Sequence, residues 1–370
     1  MSSRKRSWPA GAFRRMGLNL RALGQGIREG LTPMLGKEMR SRTRGWRSPV
    51  LLSAYLLILS AGVSLSLWLM LEQANIINPQ IGLSLYGFFV LTLVMLVAFI
   101  APAIAAGSIS GERERRTYDL LMVTKASPLG IVLGKWLASV AYLIFLMMAA
   151  LPVFAIVFLF GGVPPATLGM ALLVATATGM GYGALGLLFS ALLRRTQLAT
   201  ITSLILIFIF IFGTLAAGVV ASSVAGPPPY GRYGPEFGPP PAAPWYVYLS
   251  PLTALGSVLP GGNINYMMGQ GVPLLGSILR ELLQHLFQGG IEYAYKMGYA
   301  YPGINVPQPT GLAAWEPWAR FTLYQGILII ACLLLAVLSI TPVKPWTAYL
   351  LRRRLRRQAV REASNFEAGG

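Results

Sequence analysis

The side chains best equipped for chemistry lie together between two apolar stretches: Ser110-Gly111-Glu112-Arg113-Glu114-Arg115-Arg116-Thr117-Tyr118-Asp119-Leu120-Leu121-Met122-Val123-Thr124-Lys125-Ala126-Ser127-Pro128. Within residues 112–118 stand two glutamates, three arginines and a tyrosine. Such a set offers ion pairing and groove filling rather than bond making. Ser110 is placed to cap a helix whose first turn carries Glu112 and Glu114, the charge that a helix N-terminus favours. Tyr118, Leu121 and Met122 then share one face at i, i+3 and i+4. The pattern predicts a short charged helix with one apolar patch, able to act as a lever on a partner's groove. A solvated loop with balanced charges accounts for the same residues.

Other chemistry finds no constellation. One histidine and one cysteine give no metal cluster and no Cys/His pair. His285 falls on the polar face of an amphipathic stretch, where it is solvated. None of the 12 acidic residues lies mid-way along an apolar run, so a proton path through an intramembrane carboxylate is disfavoured. Gly130-Ile131-Val132-Leu133-Gly134-Lys135-Trp136 is one residue short of a phosphate-binding loop and lacks its Ser/Thr. If ATP is used, another polypeptide holds it. Cys332, inside the last apolar block, is a small apolar residue.

The elements that must position these residues are apolar to an unusual degree. Of 370 residues 55% are hydrophobic and 11% charged, where a soluble domain carries about a quarter charged residues. Mean hydropathy is +0.61. Uncharged runs at 48–71, 73–111, 136–193, 196–231 and 321–343 hold six helices of the roughly 20 residues that a bilayer needs. The expected spans are 50–71, 81–107, 132–160, 167–193, 197–222 and 321–341. The fold class is all-α: a polytopic membrane protein with six transmembrane helices, both termini cytoplasmic, and surface and extracytoplasmic amphipathic helices. The first span begins too late to be a signal peptide and is read as uncleaved.

The net charge of +18 reports topology rather than nucleic acid. Residues 1–48 carry 12 Lys+Arg, 107–135 carry five, 341–370 carry seven, and Arg194 and Arg195 two more. That is the distribution of the positive-inside rule, with contact to anionic lipid. Three domains follow: a basic N-terminal segment 1–48, a six-span domain 49–343, and a basic tail 344–370. Residues 1–30 suit a surface helix or a free basic tail equally, and 31–47 a second surface helix. The outer segment 223–320 divides into a Pro/Gly tether (225–244), an interfacial or re-entrant helix (245–262) and an amphipathic surface helix (274–288). In the fourth span Ala175, Gly179 and Gly183, with Gly181 and Gly186 beside them, permit close helix approach. This fits packing within the chain, or else a subunit interface or moving seam.

Residues 110–121, followed by Ser127-Pro128-Leu129-Gly130-Ile131-Val132-Leu133-Gly134-Lys135, resemble the GERE…GT…LL…T.LS…I..GK signature of type-2 ABC exporter permeases. Lys125 stands where that family often has proline. Lys37-Glu38-Met39-Arg40 is similar to the family's connecting helix, and Ser250-Pro251-Leu252-Thr253-Ala254-Leu255 to its outer Asn-Pro-Leu stretch. The resemblance covers about 31–355. It implies that two permeases, as homodimer or with a paralogue, form an export pathway in the cell (inner) membrane above separate ABC ATPase subunits. ATP-Mg then belongs to the partner, and this chain carries no cofactor, no metal and no catalytic residue. The coupling helix is about 110–123, with Gly111, Glu112, Arg113, Glu114, Arg115, Thr117, Tyr118, Leu120 and Leu121 as coupling residues. Glu112 and Glu114 meet basic groups on the ATPase or the connecting helix (Lys37, Glu38, Arg40), and Tyr118 and Leu121 fill the groove. Cargo passes between the second and fifth spans, whose phenylalanines (Phe88, Phe89, Phe99; Phe208, Phe210, Phe212) suit lipid-like or amphipathic molecules, although phenylalanine in a span more often packs or faces lipid. The alternative is a non-transporting scaffold that recruits a soluble partner through its basic segments, including the arginines of 352–357. An enzyme acting on lipid needs an interfacial acid/base pair, which the sequence does not offer.

Overall fold

Proline punctuates the fold. The computed structural model describes residues 45–73, 79–118, 128–161, 163–217, 220, 245–258 and 315–340. Among these, five of seven α-helices begin at a proline: α2 (Pro79–Glu114), α3 (Pro128–Leu159), α4 (Pro165–Leu192), α6 (Pro251–Val258) and α7 (Pro317–Ile340). At a first helical position proline's missing N–H leaves nothing unsatisfied, and its fixed φ already suits the helix. The others are α1 (Arg47–Gln73) and α5 (Thr196–Phe208). A π turn, Ile209–Gly213, extends α5, so that the fifth apolar helix reaches Ala217.

Six of these elements are long and apolar enough to cross a membrane, and no strand occurs among the described residues. This is a polytopic all-α membrane protein. The six predicted spans are all present, most within a few residues of their expected ends. The exceptions are at α2, which continues through residues 108–114 instead of stopping near 107, and at the starts of α3 and α7, which lie four residues earlier; the expected end of the fifth span at 222 lies outside the described residues. Outward faces are apolar, with Leu57 on α1, Ile201, Ile205 and Phe208 on α5, and Ile327 and Leu334 on α7 exposed. A helix apolar all round belongs in lipid or in a core. Threonine hydroxyls within the spans bond to their own helix, as a dry environment favours: Thr92 to Phe88 O, Thr178 to Val174 O, Thr214 to Phe210 O.

α4 is the central helix and packs on α2, α3, α5, α6 and α7. Its small residues make this possible. A Cβ on Gly186 would lie 2.6 Å from Pro102 O and 2.7 Å from Pro102 Cα, so the backbones of α2 and α4 are in direct contact there. Gly179 faces Val97 at 3.0 Å and Leu143 at 3.3 Å, and Gly181 receives the side chain of Gln325 from α7. At these three positions the small residues serve packing within the chain.

At the end of the bundle remote from Glu114, a 3-10 turn (Trp245–Leu249) leads into α6. The predicted helix at 245–262 is thus present as two short pieces, and α6 is buried against α4, α7 and α2. Ser250 starts it. Its hydroxyl accepts from Leu252 N–H (3.3 Å), as a helix cap does, and donates to Ile211 O in the π turn of α5 (3.2 Å). The expected tether, the amphipathic helix at 274–288, the N-terminal segment with Lys37, Glu38 and Arg40, and the basic tail lie outside the described residues.

Candidate functional site

The last turns of α2 are where the bundle converges. Gly107 and Gly111 bare one face of the helix, and Thr196 fits against it. A Cβ on Gly107 would be 3.4 Å from Thr196 Cγ2, and one on Gly111 3.8 Å from Thr196 Oγ1. Beside them Ser190 of α4 accepts from the backbone N–H groups of Ile109 and Ser110, both at 2.9 Å. Ser110 Oγ donates to Ala106 O at 2.7 Å and lies 3.2 Å from Thr196 Oγ1. Ser110 is therefore inside a continuous helix and caps nothing. The expected start of a separate helix at this residue is corrected. A serine hydroxyl can satisfy the carbonyl four residues back as readily as it caps, and here the bundle around it favours continuation.

The next three charged residues, Glu112, Arg113 and Glu114, each have a partner in another helix. Glu112 pairs with Lys135 of α3, Oε1 to Nζ 2.7 Å. Lys135 is 1% exposed and also donates to Ser108 O at 2.8 Å. Arg113 donates to Ala191 O at the end of α4 (2.7 Å), and its guanidinium lies 4.9 Å from the centre of the Tyr118 ring. Glu114 accepts from Thr196 N–H (2.8 Å) and Thr196 Oγ1 (2.9 Å). Arg195, at the cap position of α5, offers no side-chain cap, so Glu114 supplies one from another helix. A carboxylate there satisfies otherwise orphaned N–H groups and complements the helix dipole. Tyr118 OH reaches Ile340 O, the last residue of α7, at 3.5 Å.

The helix stops at this point through a Schellman motif. Thr117 N–H bonds Glu112 O (2.9 Å) and Arg116 N–H bonds Arg113 O (3.2 Å), the paired 6→1 and 5→2 bonds of that motif. It needs a left-handed residue between them, and Arg116 takes that place with φ +57°. Arg115, Arg116 and Thr117 are exposed.

The end of α2 thus joins α3, α4, α5 and α7 through named polar contacts. Of the expected coupling residues, Gly111, Glu112, Arg113, Glu114 and Tyr118 face into this junction, and Arg115 and Thr117 face out. Leu120 and Leu121 lie outside the described residues. Within the bundle Glu112 pairs with Lys135 and Glu114 with Thr196; the connecting-helix residues expected to meet them, Lys37 and Arg40, lie outside the described residues. Lys135, the last residue of the quoted signature, was not expected to join this site. Its signal was a solitary cation in an apolar run seven residues after a helix-starting proline.

The family model described as ABC-2 family transporter protein matches residues 32–284. The chain belongs to this family. No curated protein matches it significantly. An ABC-2 transporter protein is the membrane-spanning permease of an ABC system, a multi-pass subunit that is not itself catalytic. The family normally works with an ABC ATPase subunit. The match includes the whole junction except Ile340 and ends before α7, which packs on α4 within the same bundle.

Proposed function

We propose that this ABC-2 protein is the permease of an exporter in the cell (inner) membrane, with its termini and the Glu114 end of the bundle on the cytoplasmic side. Basic residues 113, 115, 116, 194 and 195 gather at that end, which supports the orientation. A separate ATPase binds and hydrolyses ATP-Mg and docks on the connection that leaves α2 at Arg115 and re-enters at Pro128. Because Tyr118 is turned to Ile340 O, its expected place beside Leu121 in the groove passes to Leu120, and Lys37, Glu38 and Arg40 lie alongside. Two permeases, identical or paralogous, enclose the pathway. α2 and α5 pack side by side within one chain, so the pathway lies between the α2–α5 faces of two copies. Exposed Phe208 and Phe212, 4.7 Å apart, give that face an aromatic surface suited to lipid-like or amphipathic cargo.

The observation that carries this reading is the junction itself. A force applied to the connection reaches α2, and from there α3, α4 and α5 through polar contacts of 2.7–2.9 Å, while Tyr118 touches the end of α7. The test is purification of the tagged protein in mild detergent, with mass spectrometry of what accompanies it and an ATP hydrolysis assay. A stoichiometric ATPase subunit is expected, and it is lost when Leu120→Glu and Leu121→Glu are combined. A folded protein with no ATPase beside it refutes the reading.

A further inference from the structure

Lys135 and Glu112 close the base of the connection between α2 and α3. The ammonium lies 2.7 Å from Glu112 Oε1 and 2.8 Å from Ser108 O, both on the last two turns of α2. Lys135 is two turns inside α3, whose first described residue is Pro128. The next residue, Trp136, donates through Nε1 to Met180 O of α4 at 3.1 Å, and Tyr142, further along α3, meets Ser48 of α1 at 3.0 Å.

A buried ammonium is stable only with its acceptors in place, and removing one partner strands the other. The pair therefore allows little sliding of α3 against α2. Without it, a pull on the connection could be absorbed where the two helices part, before reaching the membrane. With it, the two helices answer as one. We infer that Lys135 and Glu112 are positioning residues for energy coupling, which make α2 and α3 move together when the connection between them is displaced. This rests on the permease reading above. It gives Glu112 a task inside the chain rather than on the ATPase surface.

The test uses the permease–ATPase complex in lipid nanodiscs. The buried Cys332 is replaced by serine, which leaves no native cysteine in this chain, and the permease is labelled before the ATPase is added. A nitroxide is then attached at Arg115→Cys, at the start of the connection, or at Leu159→Cys, at the far end of α3, where the native side chain is 85% exposed. Spectra are compared without nucleotide and with ATP trapped by vanadate.

In the otherwise unsubstituted complex both labels are expected to respond. In Glu112→Gln and in Lys135→Met the label at 115 still responds and the label at 159 does not, while Lys135→Arg restores the distant response. A merely structural pair would change both labels or neither. A full response at 159 in Glu112→Gln overturns the inference and leaves the permease reading intact. Silence at both positions in the unsubstituted complex overturns both. If Lys135→Met fails to assemble, the nearly isosteric Glu112→Gln decides alone.

Discussion

Gly183 and Gly186 lie one turn apart on α4, and the same substitution is expected to act oppositely at the two. At Gly186 an added methyl would sit 2.6 Å from Pro102 O and 2.7 Å from Pro102 Cα. Both are backbone atoms, and neither can rotate away. Ordinary carbon contacts begin at about 3.4 Å, so α2 and α4 must separate by roughly 0.7 Å, and the cost of such overpacking is about 1–3 kcal/mol. At Gly183 nothing lies within 4 Å of the added carbon. There Gly183→Ala leaves packing intact and removes glycine's entropic penalty, for a gain of up to about 1 kcal/mol. The assay is thermal unfolding in one detergent, followed by loss of the monodisperse chromatographic peak. Gly186→Ala should lower the midpoint by several degrees, and Gly183→Ala should leave it unchanged or raise it. Equal destabilisation by the two would show that α4 responds to any added volume, and would refute the assignment of the close approach to Pro102.

Two further outcomes follow from the geometry. Arg116→Gly removes a side chain from a left-handed backbone position, where an L-residue costs about 1–2 kcal/mol, so the variant should unfold at a higher temperature and Arg116→Val at a lower one. Ser250→Ala removes both the cap of α6 and the bond to Ile211 O, at a cost of about 1–2 kcal/mol. Hydrogen exchange should then quicken in residues 251–258 ahead of the spans, and unchanged exchange there would count against this role of Ser250.

The spans could be read from the sequence because lipid imposes one rule, long apolar helices, and the charges that interrupt them are few. What joins the spans could not. Residues 112–116 look like an exit from the membrane, and their density of charge suggested a helix begun anew at Ser110. Three of those charges are instead satisfied by residues 23 to 82 positions away or by a carbonyl of α4, and no local pattern announces such partners. The stop after Glu114 was hidden for a different reason. Its left-handed residue is an arginine, where the GT of the signature places a glycine before the threonine, so the usual mark of a helix end was missing. Close approach was predicted correctly at Gly179, Gly181 and Gly186 but not at Gly183, where the space is open, and the sequence could not say which helix comes near, since a Cβ-free surface is blind to its neighbour's identity.

The cap that Glu114 gives to α5 also has a temporal side. The carboxylate and its receiver, Thr196, are 82 residues apart. A chain made from its N-terminus presents Glu114 long before Thr196 exists, with all of α3 and α4 still to be threaded. Through that interval the first turn of the fifth helix has no cap of its own waiting in the nascent sequence. Its completion depends on arriving beside a helix already inserted. Docking and end-closure are then a single event, and an α5 that inserts away from α2 keeps the N–H groups of its first turn without the Glu114 cap.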